Sequence, residues 1–126
     1  MTWTNITNGT KPDADEVMGN FNLLKHAKGN YVLVDIQTST GSISLSSDSD
    51  RTGIIVHAWA YQTNNNNAVY DVNDGSSNII TLNITSSTNQ VPHSIYKSTS
   101  TSAVTFTGVN TSGSPTGFFA VYIKKG

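Results

Sequence analysis

From Tyr31 onward, apolar and polar residues alternate in short runs broken by Ser, Thr, Asn and Gly. A period of two is the mark of a strand with one buried face, and the intervening residues are those that favour turns. The runs predict eight strands: Tyr31 to Gln37, Gly41 to Ser47, Thr52 to Thr63, Ala68 to Asn73, Ser76 to Ser86, Pro92 to Lys97, Ser102 to Gly108 and Gly117 to Lys124. In the first, Val32, Val34 and Ile36 share a face; in the second, Ile43 and Leu45 point in while serines point out. Asn64 to Asn67 reads as a turn, with Ala68 to Asn73 as the hairpin partner of the strand before it, and Asp74-Gly75 reads as a second tight turn. Eight short strands at this spacing predict an antiparallel β-sandwich, jelly-roll-like, over residues 30–126.

Two of the strands break the one-sided rule. In Ile54 to Tyr61, one face offers Ile54, Val56, Ala58 and Ala60, and the other Ile55, His57, Trp59 and Tyr61. In Phe118 to Ile123, Phe118, Ala120 and Tyr122 oppose Phe119, Val121 and Ile123. A sandwich needs only one apolar face per strand. The second face is therefore expected in a subunit interface, with Trp59, Tyr61 and Tyr122 buried between copies, or under a helix of the same chain. Tyr and Trp suit an interface because each joins an apolar ring to a polar tip.

Ahead of the strands the period changes. Ala14, Val17, Phe21 and Leu24 recur at helical spacing over residues 13–28. Asp13 is a suitable N-cap with Glu16 three residues on, Lys25, His26 and Lys28 match the negative end of the helix dipole, and Gly29 suits the residue past the end. Gly19 and Asn20 weaken the interior by up to about 1 kcal/mol each relative to Ala. Such a helix needs a partner surface for its stripe. Trp3 and Ile6 would anchor the extended segment before it. Residues 1–29 thus form an expected docking and oligomerisation segment, with Trp3, Ile6, Val17, Phe21 and Leu24 as its contact residues.

Composition narrows the function. Seven basic residues against eight acidic make the chain nearly neutral, so the clustered cations that bind nucleic acid are missing. Ser, Thr and Asn together make 47 of 126 residues, so solubility rests on uncharged hydroxyls and amides, as in many extracellular and virion β proteins. Cysteine is absent, which excludes disulfides, thiolate metal sites and cysteine nucleophiles. No run is apolar for the length of a membrane span. Met1-Thr2-Trp3-Thr4-Asn5 has neither the basic nor the apolar region of a signal peptide, so the expectation is a chain made in the cytoplasm and carried on a virion.

Catalytic chemistry finds little support. His26, His57 and His93 are too far apart in sequence for a short metal motif. No Gly-x-Ser-x-Gly elbow accompanies the sixteen serines. Asp71-Val72-Asn73-Asp74-Gly75 lacks the spacing and distal Glu of a calcium loop and reads as a turn, and Asp48-Ser49-Asp50-Arg51 reads as a solvated loop. No enzyme activity, metal or cofactor is expected. Sugar binding is the alternative: aromatic rings stack on pyranose faces and amides bind hydroxyls, for which Tyr61, Asn65, Tyr70 and Tyr96 are the candidates.

The segment Trp3-Thr4-Asn5-Ile6-Thr7-Asn8-Gly9-Thr10-Lys11-Pro12-Asp13-Ala14-Asp15-Glu16-Val17-Met18-Gly19-Asn20-Phe21 resembles the N-terminal segment of tailed-phage and archaeal-virus virion proteins. The shared pattern is approximately W-x-x-I-x-x-G-x-x-x-D-A-x-x-V-x-x-N-F, followed by a β domain. The resemblance covers about twenty residues, and the strands after it resemble the small sandwiches that end fibres and spikes. It implies a non-enzymatic tail fibre, spike or head-decoration protein, usually a homotrimer, whose partners are its own copies and a capsid or tail protein. A host-surface glycan is the partner under the lectin-like alternative.

Overall fold

The computed structural model describes residues 29–85 and 91–126. The expected helix over 13–28 lies outside the described residues, as do Trp3, Ile6, Val17, Phe21 and Leu24. The described chain forms eight strands: β1 (Tyr31–Thr38), β2 (Ser42–Leu45), β3 (Arg51–Tyr61), β4 (Ala68–Asn73), β5 (Asn78–Ile84), β6 (His93–Ser98), β7 (Val104–Ser112) and β8 (Thr116–Lys125). Each lies where the alternation placed it, with ends shifted by a few residues.

The strands make two four-stranded sheets, β1-β8-β3-β6 and β2-β7-β4-β5, called A and B below, and every pairing is antiparallel. Consecutive strands change sheet at every connection except β4–β5, which is a hairpin. That hairpin turns at Asp74, whose Oδ1 accepts the backbone N–H groups of Ser76 and Ser77, both at 2.9 Å, with Gly75 at φ +95°.

Two expectations need correcting. β3 and β4 do not form a hairpin. They lie in different sheets, and β4 pairs with β5 and β7. The run Asn64 to Asn67 is a crossover loop, held by Gln62, whose Nε2 donates to Asn64 Oδ1 (2.6 Å) and to the Asn66 carbonyl (2.7 Å). Local turn propensity marks a reversal but not which sheet receives the next strand. The second correction concerns β1, where a bulge between Leu33 and Asp35 breaks the alternation. Val32 pairs with core-facing Ile123, whereas Leu33 and Ile36 pair with Tyr122 and Ala120 on the opposite face. Val32, Val34 and Ile36 therefore do not form one stripe: Val32 and Ile36 lie on opposite faces, and Val34 sits in the bulge. A bulge inserts one unpaired residue and so shifts the period by one.

The core lies between the sheets. Ile54, Val56, Ala58 and Ala60 of β3 and Phe119 and Val121 of β8 are each at most 1 % exposed. Opposite them pack Ile43, Tyr70, Val72, Leu82 and Phe106. Tyr70 fits because β7 and β8 offer glycines beside it: a Cβ on Gly117 would run into its ring, and one on Gly108 into its hydroxyl. That hydroxyl donates to the Ser39 carbonyl at 3.0 Å, and burial pushes its pKa up to about 12. At one end of the sandwich Arg51, 3 % exposed, ties two loops together. Its Nε donates to the Ser100 carbonyl (3.0 Å), one terminal nitrogen to that of Ser46 (3.0 Å) and the other to that of Ser102 (2.7 Å).

Candidate functional site: the outer face of sheet A

The two outer faces of the sandwich differ sharply. On sheet B, β2 and β7 present hydroxyls that bond across the strands, Ser42 to Thr107 and Ser44 to Thr105, each at 2.9 Å. This is the solvated face expected of an ordinary sandwich. Sheet A presents carbon instead. The register gives three rows across its four strands: Ile36, Ala120, His57 and Ile95; Leu33, Tyr122, Ile55 and Lys97; Thr38, Phe118, Trp59 and His93. Ile36 and Ile95 stand 46 % and 54 % exposed, values that leave large aliphatic side chains in water at both sides of the face.

Aromatic rings fill its centre. Trp59 stacks on Phe118 with centroids 5.6 Å apart and planes at 15°, and Tyr61 stacks on the same ring at 6.5 Å and 24°. His57 lies 5.2 Å from Trp59 and 5.5 Å from His93. Two cations sit on the margin, Lys97 on β6 and Lys124, whose Nζ is 5.1 Å from the Tyr31 centroid. No Asp or Glu occupies an outer-face position of β3, β6 or β8.

The structure thus brings Trp59, Tyr61 and Tyr122 onto one surface, and adds members that strand-by-strand reading missed. Leu33 and Ile36 reach it through the β1 bulge. Ile95 and His93 reach it because β6 pairs with β3. The only signal for them in the sequence is an apolar residue on a strand whose neighbours are unknown.

The four sugar-binding candidates are not brought together. Tyr61 is on the outer face of sheet A, and Asn65 is on the exposed loop after β3. Tyr70 is fully buried in the core and presents no ring to a ligand. Tyr96, half-buried, packs against the core and lines a cleft of about 210 Å³ with Ile54, Phe106, Asp74, Ser76, Ser98 and Ser100. The backbone N–H groups of Ser77 and Ser76 hold the Asp74 carboxyl below its usual range. Asp48 is lowered likewise, first by the Asp50 backbone N–H and then by Lys125, with which it pairs at 3.2 Å. On sheet B, Asp71 is 3 % exposed: its Oδ2 accepts from Thr111 Oγ1 and Asn78 Nδ2, while its Oδ1 has no partner. Among the described residues no three His, Asp or Glu side chains gather into a metal-binding cluster, and no helix is long and apolar enough to cross a membrane.

No protein-family model matches the chain, no curated protein matches it, and no solved structure matches it.

Proposed function

We propose that this protein is a non-enzymatic structural component of a virion surface, of the capsid-decoration, spike or tail-fibre kind, and that it assembles as a homotrimer through the outer face of sheet A. One observation carries the reading: a charge-poor, aromatic sheet face beside a second face covered in hydroxyls. Four strands at about 4.8 Å spacing and eight residues at about 3.3 Å rise give the apolar face roughly 500 Å² of projected area. That projected area falls within the ~300–600 Å² of the largest patch on a typical monomer, which is often functional. It is also somewhat short of the ~800 Å² that a stable interface takes from each partner. Residues 1–29 supply the remainder: their apolar stripe has the same need for cover, and they also dock the assembly to a capsid or tail protein. The strand order β1-β8-β3-β6 over β2-β7-β4-β5 is that of a jelly roll, an architecture used in viral capsid and lectin domains. The N-terminal resemblance to virion proteins points the same way.

The test is absolute mass by light scattering over a tenfold concentration range. The expected result is three times the 13.5 kDa chain mass. A concentration-independent monomer would overturn the reading.

A second reading is a lectin-like module that binds a host glycan. What favours it is the cleft at Tyr96, where an aromatic ring meets a carboxylate and three serine hydroxyls. Retention on a carbohydrate array, lost in Tyr96→Ala, would support it; a uniformly blank array would remove it.

A further inference from the structure

Two histidines sit inside the face that the proposed trimer covers. His57 on β3 and His93 on β6 are diagonal neighbours, His57 opposite Ile95 and His93 opposite Trp59. Their rings meet edge to face at 5.5 Å. The Nε2 of His57 is shut off from solvent and has no hydrogen-bond partner. Among the described residues, none accepts a proton on that nitrogen. Among the described residues, everything charged or titratable that faces the pair is cationic or phenolic: Lys97 on β6, Lys124 and Tyr122 on β8, Tyr61 on β3 and Tyr31 on β1. The one carboxylate on a neighbouring strand, Asp35, lies on β1 beyond β8, and its oxygens already accept from the Ile36 N–H (2.8 Å) and Gln37 Nε2 (3.0 Å). A second copy apposed through the same strands brings the same groups again, so among the described residues it adds cations and no acid.

We infer that the His57–His93 pair makes this assembly acid-sensitive: the subunits associate while both imidazoles are neutral and separate when they take up protons. The inference rests on the proposed oligomer. An imidazole forced to stay neutral in the contact binds fewer protons there than in the separated chain. Association is then complete above the ordinary histidine range and is lost as pH falls through it. For a side chain that titrates at the usual histidine value near 6.5, excluding its charged form raises the dissociation constant about 30-fold at pH 5.

The experiment measures mass of the full chain by light scattering at pH 8 and pH 5, over a tenfold concentration range, with far-ultraviolet circular dichroism alongside. The expected result is an oligomer at pH 8, association weakened about 30-fold at pH 5, and an unchanged β-sheet signal. The double variant His57→Phe/His93→Phe should stay assembled at pH 5. His57→Gln/His93→Gln, also uncharged at both values but polar, should do the same. Equal association at the two pH values overturns the inference and leaves the trimer standing. So does a pH dependence that survives in both double variants, or a β-sheet signal lost together with the oligomer. A monomer at pH 8 removes the assembly itself, and the inference with it.

Discussion

Replacing Arg51 with alanine should be among the most damaging single changes in the β domain. Its guanidinium donates to three carbonyls, those of Ser46, Ser100 and Ser102, and it is almost wholly buried. Those carbonyls belong to the β2–β3 and β6–β7 connections, which also meet where the Asp48 N–H donates to the Thr101 carbonyl at 2.9 Å. Hydrogen bonds to a charged donor contribute about 1.5–3 kcal/mol each, and a buried acceptor left without a partner costs about 1–3 kcal/mol. The carbonyls lie in loops that water can enter, so about 1 kcal/mol for each is the reasonable figure, or ~3 kcal/mol in all. That is a large share of the ~5–15 kcal/mol that holds a domain together. For a domain of this size it corresponds to a fall in melting temperature of roughly 12–24 °C. Equilibrium urea unfolding of wild type and Arg51→Ala, followed by tryptophan fluorescence, reads the difference directly, and an unchanged m-value shows that only stability moved. Arg51→Lys should recover less than half, because an ammonium is a point donor and cannot span three diverging carbonyls. A loss below about 1 kcal/mol in Arg51→Ala would refute the reasoning, since water would then serve those carbonyls as well as the guanidinium does.

Two further predictions follow from the way Tyr70 is packed. Its pKa is raised in the folded state, so the neutral phenol is the form the core accepts. The stability this gives is complete below about pH 10 and is lost as pH rises through 10 towards 12. Tyr70→Phe should cost about 1 kcal/mol at neutral pH, from the lost bond to the Ser39 carbonyl, and should flatten that alkaline decline in thermal melts. Gly117→Ala should cost about 1–3 kcal/mol, because the new Cβ meets the Tyr70 ring within a closed core; Tyr70→Leu in the same chain should return part of the loss, and additive effects of the two changes would refute the contact.

The proposed trimer and its proposed acid sensitivity both rest on one surface, the outer face of sheet A. It explains why β3 and β8, the two central strands of that sheet, carry apolar residues on both sides. Tyr and Trp tolerate water before assembly and exclude it afterwards, which suits the proposed meeting of folded copies.

Much of this was legible in the residues themselves. The eight strands follow from a period of two and the turn residues between runs, because side-chain alternation is a local property of extended backbone. The doubly apolar character of β3 and β8 is local too, and it marks Trp59, Tyr61 and Tyr122 as members of a second apolar face. Arg51 was not legible: in sequence it ends a run of Asp and Ser and reads as solvated, and only the convergence of two loops buries it among carbonyls. Nor was Tyr70, which lies in a strand that turns it inward between two glycines from distant strands.

What tertiary structure alone decided was adjacency. Which sheet receives β4, which strand flanks β3 and where β1 bulges depend on contacts between residues far apart in the chain, and local propensity is nearly indifferent to them. Those contacts bring Leu33, Ile36, Ile95 and His93 to the surface that β3 and β8 begin. Strand period sets which side of its own strand a residue takes; pairing between distant strands sets which residues share that side, and hence makes a face out of separate stripes.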